Sequence, residues 1–342
     1  MKRTLSVLGA ALLLAVGACG NGAAGGGANP DKKTIRIAYQ AFPSGDLIVK
    51  NQGLLEKALP DYQITWTKFD SGASINTAFV AKSVDFAAIG SSPVARGLSA
   101  PLNIPYQVAF VLDVAGDNEA LVARNGSGVT DVAGLKGKKV ATSFASTSHY
   151  SLLAALKQAG LAEKDLTIVD LEPQDIQAAW ARGDLDAAYT WLPVLDTIKK
   201  DGKVLISSRE LATAGKPTLD LGVVSTPFAE AHPDAVDAWR KVEAQALDVI
   251  ANDKPSAAKA VGQELNLSPE EAQHQLDQGV FLKPSDLSTD EWLGTETKVG
   301  KIADNLLSAA QFLKDQQKID AVPDLATVQK GVYVKGLPGV LG

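Results

Sequence analysis

The sequence predicts an α/β protein of two lobes joined by a hinge, with the second lobe inserted into the first and a ligand cleft between them. Three observations carry this. Short apolar runs alternate with helix-like segments, the rhythm of parallel strands covered by helices on both faces. The rhythm lapses over Gly126–Gly137 and restarts at Lys138, giving a second α/β unit over roughly 125–215. Strand–turn–helix junctions rich in Ser, Gly and Thr occur in both units, at the strand ends where open α/β sheets bind ligands.

The elements follow in order. Lys2 and Arg3 precede an apolar run, Leu5–Val16, too short to span a bilayer comfortably. It ends Val16-Gly17-Ala18-Cys19, which resembles a bacterial lipobox; the alternative is a plain secretory signal with an incidental cysteine. Residues 1–18 are thus expected to be a signal peptide, with 19–33 a flexible tether anchored by lipid at Cys19. Strands are expected at Thr34–Gln40, Tyr62–Phe69, Asp85–Ile89 and Tyr106–Leu112, with helices at Leu47–Leu59 and Ile75–Lys82. Glu119–Arg124 is a further strand of the first lobe, assigned 34–124 and 217–342. The second lobe, 125–216, holds strands at Lys138–Thr142, Thr167–Leu171, Ala187–Thr190 and Val204–Ser207, with helices at Ser148–Ala159, Gln174–Arg182 and Leu192–Lys200. A strand at Leu219–Ser225 returns to the first lobe, and mostly helices follow. Asp234–Ala251 puts Val236, Trp239, Val242, Ala246 and Ile250 on one face, and Thr297–Gln317 does the same with Val299, Ile302, Leu306, Ala309 and Leu313.

Composition narrows the function. The chain has 342 residues, 46% apolar and 21% charged, enough for a sizeable core. A net charge of −6 gives no reason to expect nucleic acid as a partner. The single cysteine excludes a disulfide within the chain and any catalytic or zinc-binding cysteine cluster. The three histidines, His149, His232 and His274, are far apart in sequence, so no metal cage is expected. Neither Gly-x-x-x-x-Gly-Lys-Ser/Thr nor Gly-x-Gly-x-x-Gly is present, and no cofactor is expected.

The site is expected at three turns of one plan: Ser71–Ser74 and Gly90–Ser92 in the first lobe, Ser146–Ser148 in the second. Helix starts offer unpaired N–H groups and partial positive charge. None of the turns contains Lys or Arg; the nearest are Lys68, Lys82 and Arg96. Neutral donors of this kind suit a singly charged tetrahedral anion better than a polyphosphate.

Phe69-Asp70-Ser71-Gly72-Ala73-Ser74-Ile75, Gly90-Ser91-Ser92-Pro93, Glu119-Ala120-Leu121-Val122, the run Ser146–Lys157 and Pro217-Thr218-Leu219-Asp220 resemble the taurine-binding proteins of bacterial ABC importers. The resemblance covers about 34–228, returns at Gln311–Lys314 and is weak over 245–295. It implies the type II periplasmic-binding-protein fold and no catalysis. It implies that Ser71, Gly72, Ser91, Ser92, Thr147 and Ser148 hold a sulfonate and that Asp220 takes the ammonium of taurine. The expected partners are an ABC permease and its ATPase, with the chain a monomer. Several residues have two readings. Trp191 either floors the site or belongs to the core, and His149 either donates to the sulfonate or is structural. Glu119 either orients donors and helps bind the amine or makes a hinge salt bridge, while Gln40 is expected to reach the cleft. Ala41–Asp46 forms one rim. Leu221-Gly222 stands where relatives commonly carry an aromatic, which implies a larger pocket. Other readings are a binding protein for alkanesulfonate, nitrate or a pyrimidine, and, in another class, an enzyme resembling the pyrimidine synthases of thiamine biosynthesis. The carboxylate of Asp220 argues against the first group, since plain alkanesulfonates and nitrate bring no cation to it. The lone cysteine argues against the enzyme.

Overall fold

The structure is a computed structural model that describes residues 33–341. The expected signal peptide, Cys19 and all of the tether except Lys33 lie outside the described residues.

Strand β1 (Lys33–Gln40) turns Ile35 and Ile37 into the core and pairs in parallel with β2 (Tyr62–Phe69) and β3 (Phe86–Gly90). Its first residue, Lys33, already pairs with Tyr62, so the expected tether ends one residue sooner. β3 is buried at every position, as a strand covered on both faces must be. β4 (Tyr106–Val114) follows. Four helices cover this part: α1 (Gly45–Gln52), α2 (Leu54–Ala58), α3 (Gly72–Val80) and α4 (Ser91–Leu98).

A second sheet is built from β5 (Glu119–Arg124), β6 (Lys139–Thr142), β7 (Thr167–Asp170), β8 (Ala187–Trp191) and β9 (Gly202–Ser207), in the order β7-β6-β8-β5-β9. Its helices are α5 (Thr147–Gln158), α6 (Pro173–Arg182), α7 (Val194–Lys199) and α8 (Ser208–Thr213). Here one expectation is corrected. Glu119–Arg124 was assigned to the first lobe, but its backbone pairs with β8 on one side and β9 on the other. The boundary therefore falls before Glu119, at the short crossing 115–118.

After the second crossing, β10 (Leu219–Ser225) enters the first sheet between β3 and β4, giving the order β2-β1-β3-β10-β4. β10 is antiparallel to both neighbours, and β5 is antiparallel to both of its own. Each lobe is thus a mixed sheet rather than an all-parallel one, and the odd strand in each is the one that follows a crossing.

The remaining chain packs back on the first lobe through α9 (Thr226–Ala231), α10 (Pro233–Asn252), α11 (Lys254–Leu265), α12 (Pro269–Leu276) and α13 (Ile302–Asp315). The expected core face of α10 is buried from Val236 to Ile250. α13 starts at Ile302 rather than Thr297, because Lys298-Val299 pairs with Gly294-Thr295. The stretch 245–295, where the resemblance is weak, supplies α11 and α12; α11 packs on α1, and Lys50 pairs with Glu264 there.

Trp239 of α10 packs on Phe86 and Phe110, ring centres 4.8 and 6.4 Å away. Gly222 makes this possible: a Cβ there would lie 2.3 Å from Trp239 Cη2 and 3.1 Å from Phe110 Cβ. Leu221 is fully buried. The expected enlargement of the pocket at Leu221-Gly222 is therefore corrected: both residues face the core of the first lobe and neither borders the cleft.

Candidate functional site

Three helices begin at the cleft. Ser71 caps α3, its Oγ accepting from the Ser74 amide at 3.4 Å, and Ser146 caps α5, its Oγ accepting from the His149 amide at 3.1 Å. α4 starts after Gly90. The starts of α4 and α5 come from different lobes and nearly touch: a Cβ on Gly90 would lie 2.7 Å from Thr147 Cγ2.

Between these starts lies a cavity of about 30 Å³. That is space for about two waters. Gln40, Phe42, Pro43, Gly72, Gly90 and Pro93 line it from the first lobe, and Ala115 and Asn118 from the first crossing. Glu119, Ser146, Thr147, Trp191 and Leu192 line it from the second lobe, and Asp220 from the start of β10. No lysine or arginine is among these residues, so the positive potential comes from backbone at the helix starts.

Glu119 is buried at the start of β5 and gathers hydroxyl donors. Its Oε2 accepts from Thr147 Oγ1 at 2.5 Å and Ser148 Oγ at 2.9 Å. Its Oε1 accepts from Ser208 Oγ at 2.6 Å, Ser151 Oγ at 3.3 Å and Thr218 Oγ1 at 3.4 Å. Burial raises the pKa of this carboxyl, and the hydroxyls, Ser208 first, oppose the rise. The hydroxyls of Thr147 and Ser148, expected on a sulfonate, are thus committed to an internal carboxylate. Glu119 has no cationic partner, so the hinge salt bridge is not the arrangement seen.

Of the other expected residues, Gln40, Gly72, Trp191 and Asp220 line the cavity, while Ser71, Ser91, Ser92, Ser148 and His149 do not. Ser71 Oγ donates across the cleft to Glu172 Oε1 at 2.8 Å, and Ser143 Oγ donates to Glu172 Oε2 at 2.7 Å. Ser91 Oγ accepts from the Leu219 amide at 3.1 Å, and Ser92 Oγ is buried without a partner. His149 stacks on Phe144 at 4.5 Å, and its Nδ1 accepts from the Ala145 amide at 3.1 Å. Burial lowers its pKa to about 4, so the ring is neutral. Trp191 ends β8 half-buried against the cavity rather than in the core.

Phe42 and Pro43 in the lining belong to the expected rim Ala41–Asp46, whereas sequence reasoning missed Ala115, Asn118 and Leu192 in the lining and Glu172 across the cleft. It also missed Asp113, the cross-strand neighbour of Asp220. Glu172 carried a usable signal, since it precedes Pro173 at a helix start. Asp113 ends an apolar strand and gave none. Burial, then Glu119, raises the Asp220 carboxyl to about 7, and burial raises Asp46 in α1 to about 6. Asp113 and Glu243 lie well above the usual range, burial again leading.

A cleft between two α/β lobes, with helix starts and carboxylates turned inward and two chain crossings behind it, is built to enclose a small ligand. Residues 33–272 match the family model described as the substrate binding domain of the ABC-type glycine betaine transport system, and the chain belongs to that family. It is similar to the taurine-binding periplasmic protein of Escherichia coli K12, 37% identical over 294 residues that cover 84% of this chain and 88% of the relative. A putative aliphatic sulfonates-binding protein of Bacillus subtilis is 36% identical over 248 residues, 71% of this chain and 72% of the relative. Among solved structures, the alkanesulfonate-binding protein SsuA from Xanthomonas axonopodis pv. citri, bound to MOPS, superposes with a TM-score of 0.75 at 23% identity over 90% of this chain and 99% of that one. The desulfurization enzyme DSZB shares the fold at a TM-score of 0.64 and 13% identity, covering 91% of this chain and 99% of that one. The fold alone therefore does not separate binding from catalysis; membership of the family does. Among the described residues no helix is long and apolar enough to cross a membrane.

Proposed function

We propose that this protein captures taurine or a close aminosulfonate between its lobes and hands it to an ABC permease driven by its ATPase, making and breaking no bond. The observation that carries the reading is Asp220, a carboxylate facing a small cavity that has helix N-termini around it and no lysine or arginine in its lining. A zwitterion with its charges two carbons apart fits that polarity: sulfonate on the amides of α3, α4 and α5, ammonium on Asp220. Trp191 adds an aromatic wall on the ammonium side of this reading. The 37% identity to a taurine-binding relative supports the same ligand class. Closure is a hinge motion about the two crossings.

Calorimetric titration with taurine, methanesulfonate, β-alanine, nitrate and glycine betaine tests this. Taurine is expected to bind tightest. Glycine betaine offers no N–H to Asp220, and methanesulfonate offers no cation. Asp220→Asn is expected to weaken taurine by about 1.5–3 kcal/mol, roughly ten- to a hundredfold, and to leave methanesulfonate nearly unchanged. Equal binding of taurine and methanesulfonate by both proteins sinks the ammonium clamp.

The lipid anchor at Cys19 belongs to this proposal. Cys19→Ala is expected to move the protein from the membrane fraction to the soluble exported fraction; an unchanged distribution refutes the anchor. A single monomer boundary in sedimentation checks the oligomeric state.

A further inference from the structure

β4 and β10 set two acids side by side. Asp113 and Asp220 are cross-strand partners at the cleft end of the antiparallel ladder, with a bulge directly after Asp220. Directly opposite residues of an antiparallel pair put their side chains on one face with Cβ atoms about 4.5–5.5 Å apart, close enough for the two carboxyls to meet. Asp113 is fully buried, and neither of its oxygens meets an N–H or hydroxyl donor. The other acids near the pair are Asp46 of α1 and Glu119 of β5, whose charges act on it, and Asp46 also acts on Glu243 of α10. The Tyr189 phenol of β8 faces Glu119 and stays neutral, its pKa raised by burial. Among the described residues no Lys, Arg or His lines the cavity.

Two carboxylates this close, one fully buried and the other half-buried, with no cation beside them, resist ionising together. One proton must bridge them, and burial decides which acid keeps it. Asp113 is the deeper of the two, while Asp220 borders the cavity.

We propose that Asp113 is a positioning residue for Asp220: it stays protonated, donates its O–H to one Asp220 oxygen, and leaves the other oxygen for the ligand's ammonium. In the empty cleft Asp220 itself carries a proton part of the time. The arriving ammonium replaces that proton, which leaves to solvent, so binding and proton release are one event. The inference rests on the ammonium reading of Asp220. It adds that a buried residue outside the cavity lining sets how strongly the clamp depends on pH.

Two measurements on the purified protein test it and separate its failure from that of the ammonium reading. The first needs no ligand: carbon-13 NMR of aspartate carboxyls across pH, in wild type and Asp113→Asn. The expected result is a coupled pair that holds at least one proton at pH 7, with one step lost in the variant. Two independent titrations near pH 4 overturn the inference whatever the ligand is. The second is taurine calorimetry in buffers of different ionisation heat. Wild type is expected to release protons and to lose roughly tenfold in affinity from pH 8 to pH 6, following the Asp220 carboxyl near 7. Asp113→Asn still donates to Asp220, so it is expected to bind within about threefold of wild type at pH 8 and to keep the pH profile, whereas Asp113→Leu, which donates nothing, is expected to move the profile to higher pH. An unaltered profile in Asp113→Leu overturns the inference. A coupled pair in a protein that ignores taurine removes the ammonium reading and the proton-release step with it, and leaves the pair itself standing.

Discussion

Gly222 holds its place for Trp239, not for a ligand. Gly222→Ala puts a methyl 2.3 Å from the indole edge in a packed core. It is expected to lower stability by about 1–3 kcal/mol in urea denaturation while leaving ligand preference unchanged. A shift in preference between taurine and larger aminosulfonates would return Gly222 to the pocket. Glu119 teaches a related lesson. The hydroxyl-rich run Ser146–Ser151 was legible as a set of donors looking for an oxyanion. The oxyanion it serves in this structure is the protein's own carboxylate, 28 residues upstream of Thr147. Donor chemistry can be read locally, but the identity of an acceptor brought in by the fold cannot. Asp220 was readable because a charged residue at the head of an apolar strand is conspicuous. Asp113, at the tail of another, was hidden until strand pairing set it opposite.

At the level of elements, the periodicities gave the strands of both five-stranded sheets and most helices, though not α4, α8, α9, α11 or α12, with errors at ends such as Thr297. Direction was not readable. An apolar run has the same pattern whichever way it enters a sheet, and β5 and β10 are antiparallel because of where the chain crosses between lobes. The helix starts at the cleft were legible as turns, but the contact that spans them was not. Glu172 heads α6 in the second lobe and receives Ser71 from the head of α3 in the first. Lys318 makes a second bridge, to Glu163 at 3.3 Å. Glu172→Ala removes the acceptor of two hydroxyls. The empty protein is then expected to sample open lobes more often, seen as a larger radius of gyration in solution scattering. Ligand affinity is expected to fall by about tenfold, with the ligand-saturated radius unchanged. Identical scattering of the empty wild type and variant rules the latch out.

On the scale of the molecule, the cleft concentrates acids that fold at a cost. Asp220 and Asp46, raised to about 7 and 6, and Asp113 and Glu243, raised further, bind protons in the folded chain that the unfolded chain has already lost at the same pH. Stability therefore falls as pH rises through that range. The ligand-free protein is expected to melt several degrees higher at pH 6 than at pH 8 in scanning calorimetry. His149, neutral down to about pH 4, opposes this only on the acid side of the ordinary histidine range. A melting temperature that climbs from pH 6 to pH 8 would contradict the buried-acid picture. The two crossings also tie the acids to the hinge. Ala115 of the first crossing donates its amide to the Thr218 carbonyl of the second at 3.0 Å. Glu119 stands one residue past the first crossing, and Asp220 two residues past Thr218. The helix starts ride on the lobes, whereas both carboxylates are mounted on the axle. If the proposed permease pries the lobes apart around the proposed zwitterion, the torque acts first on its cationic end, and unloading is geared to the same rotation that opens the door.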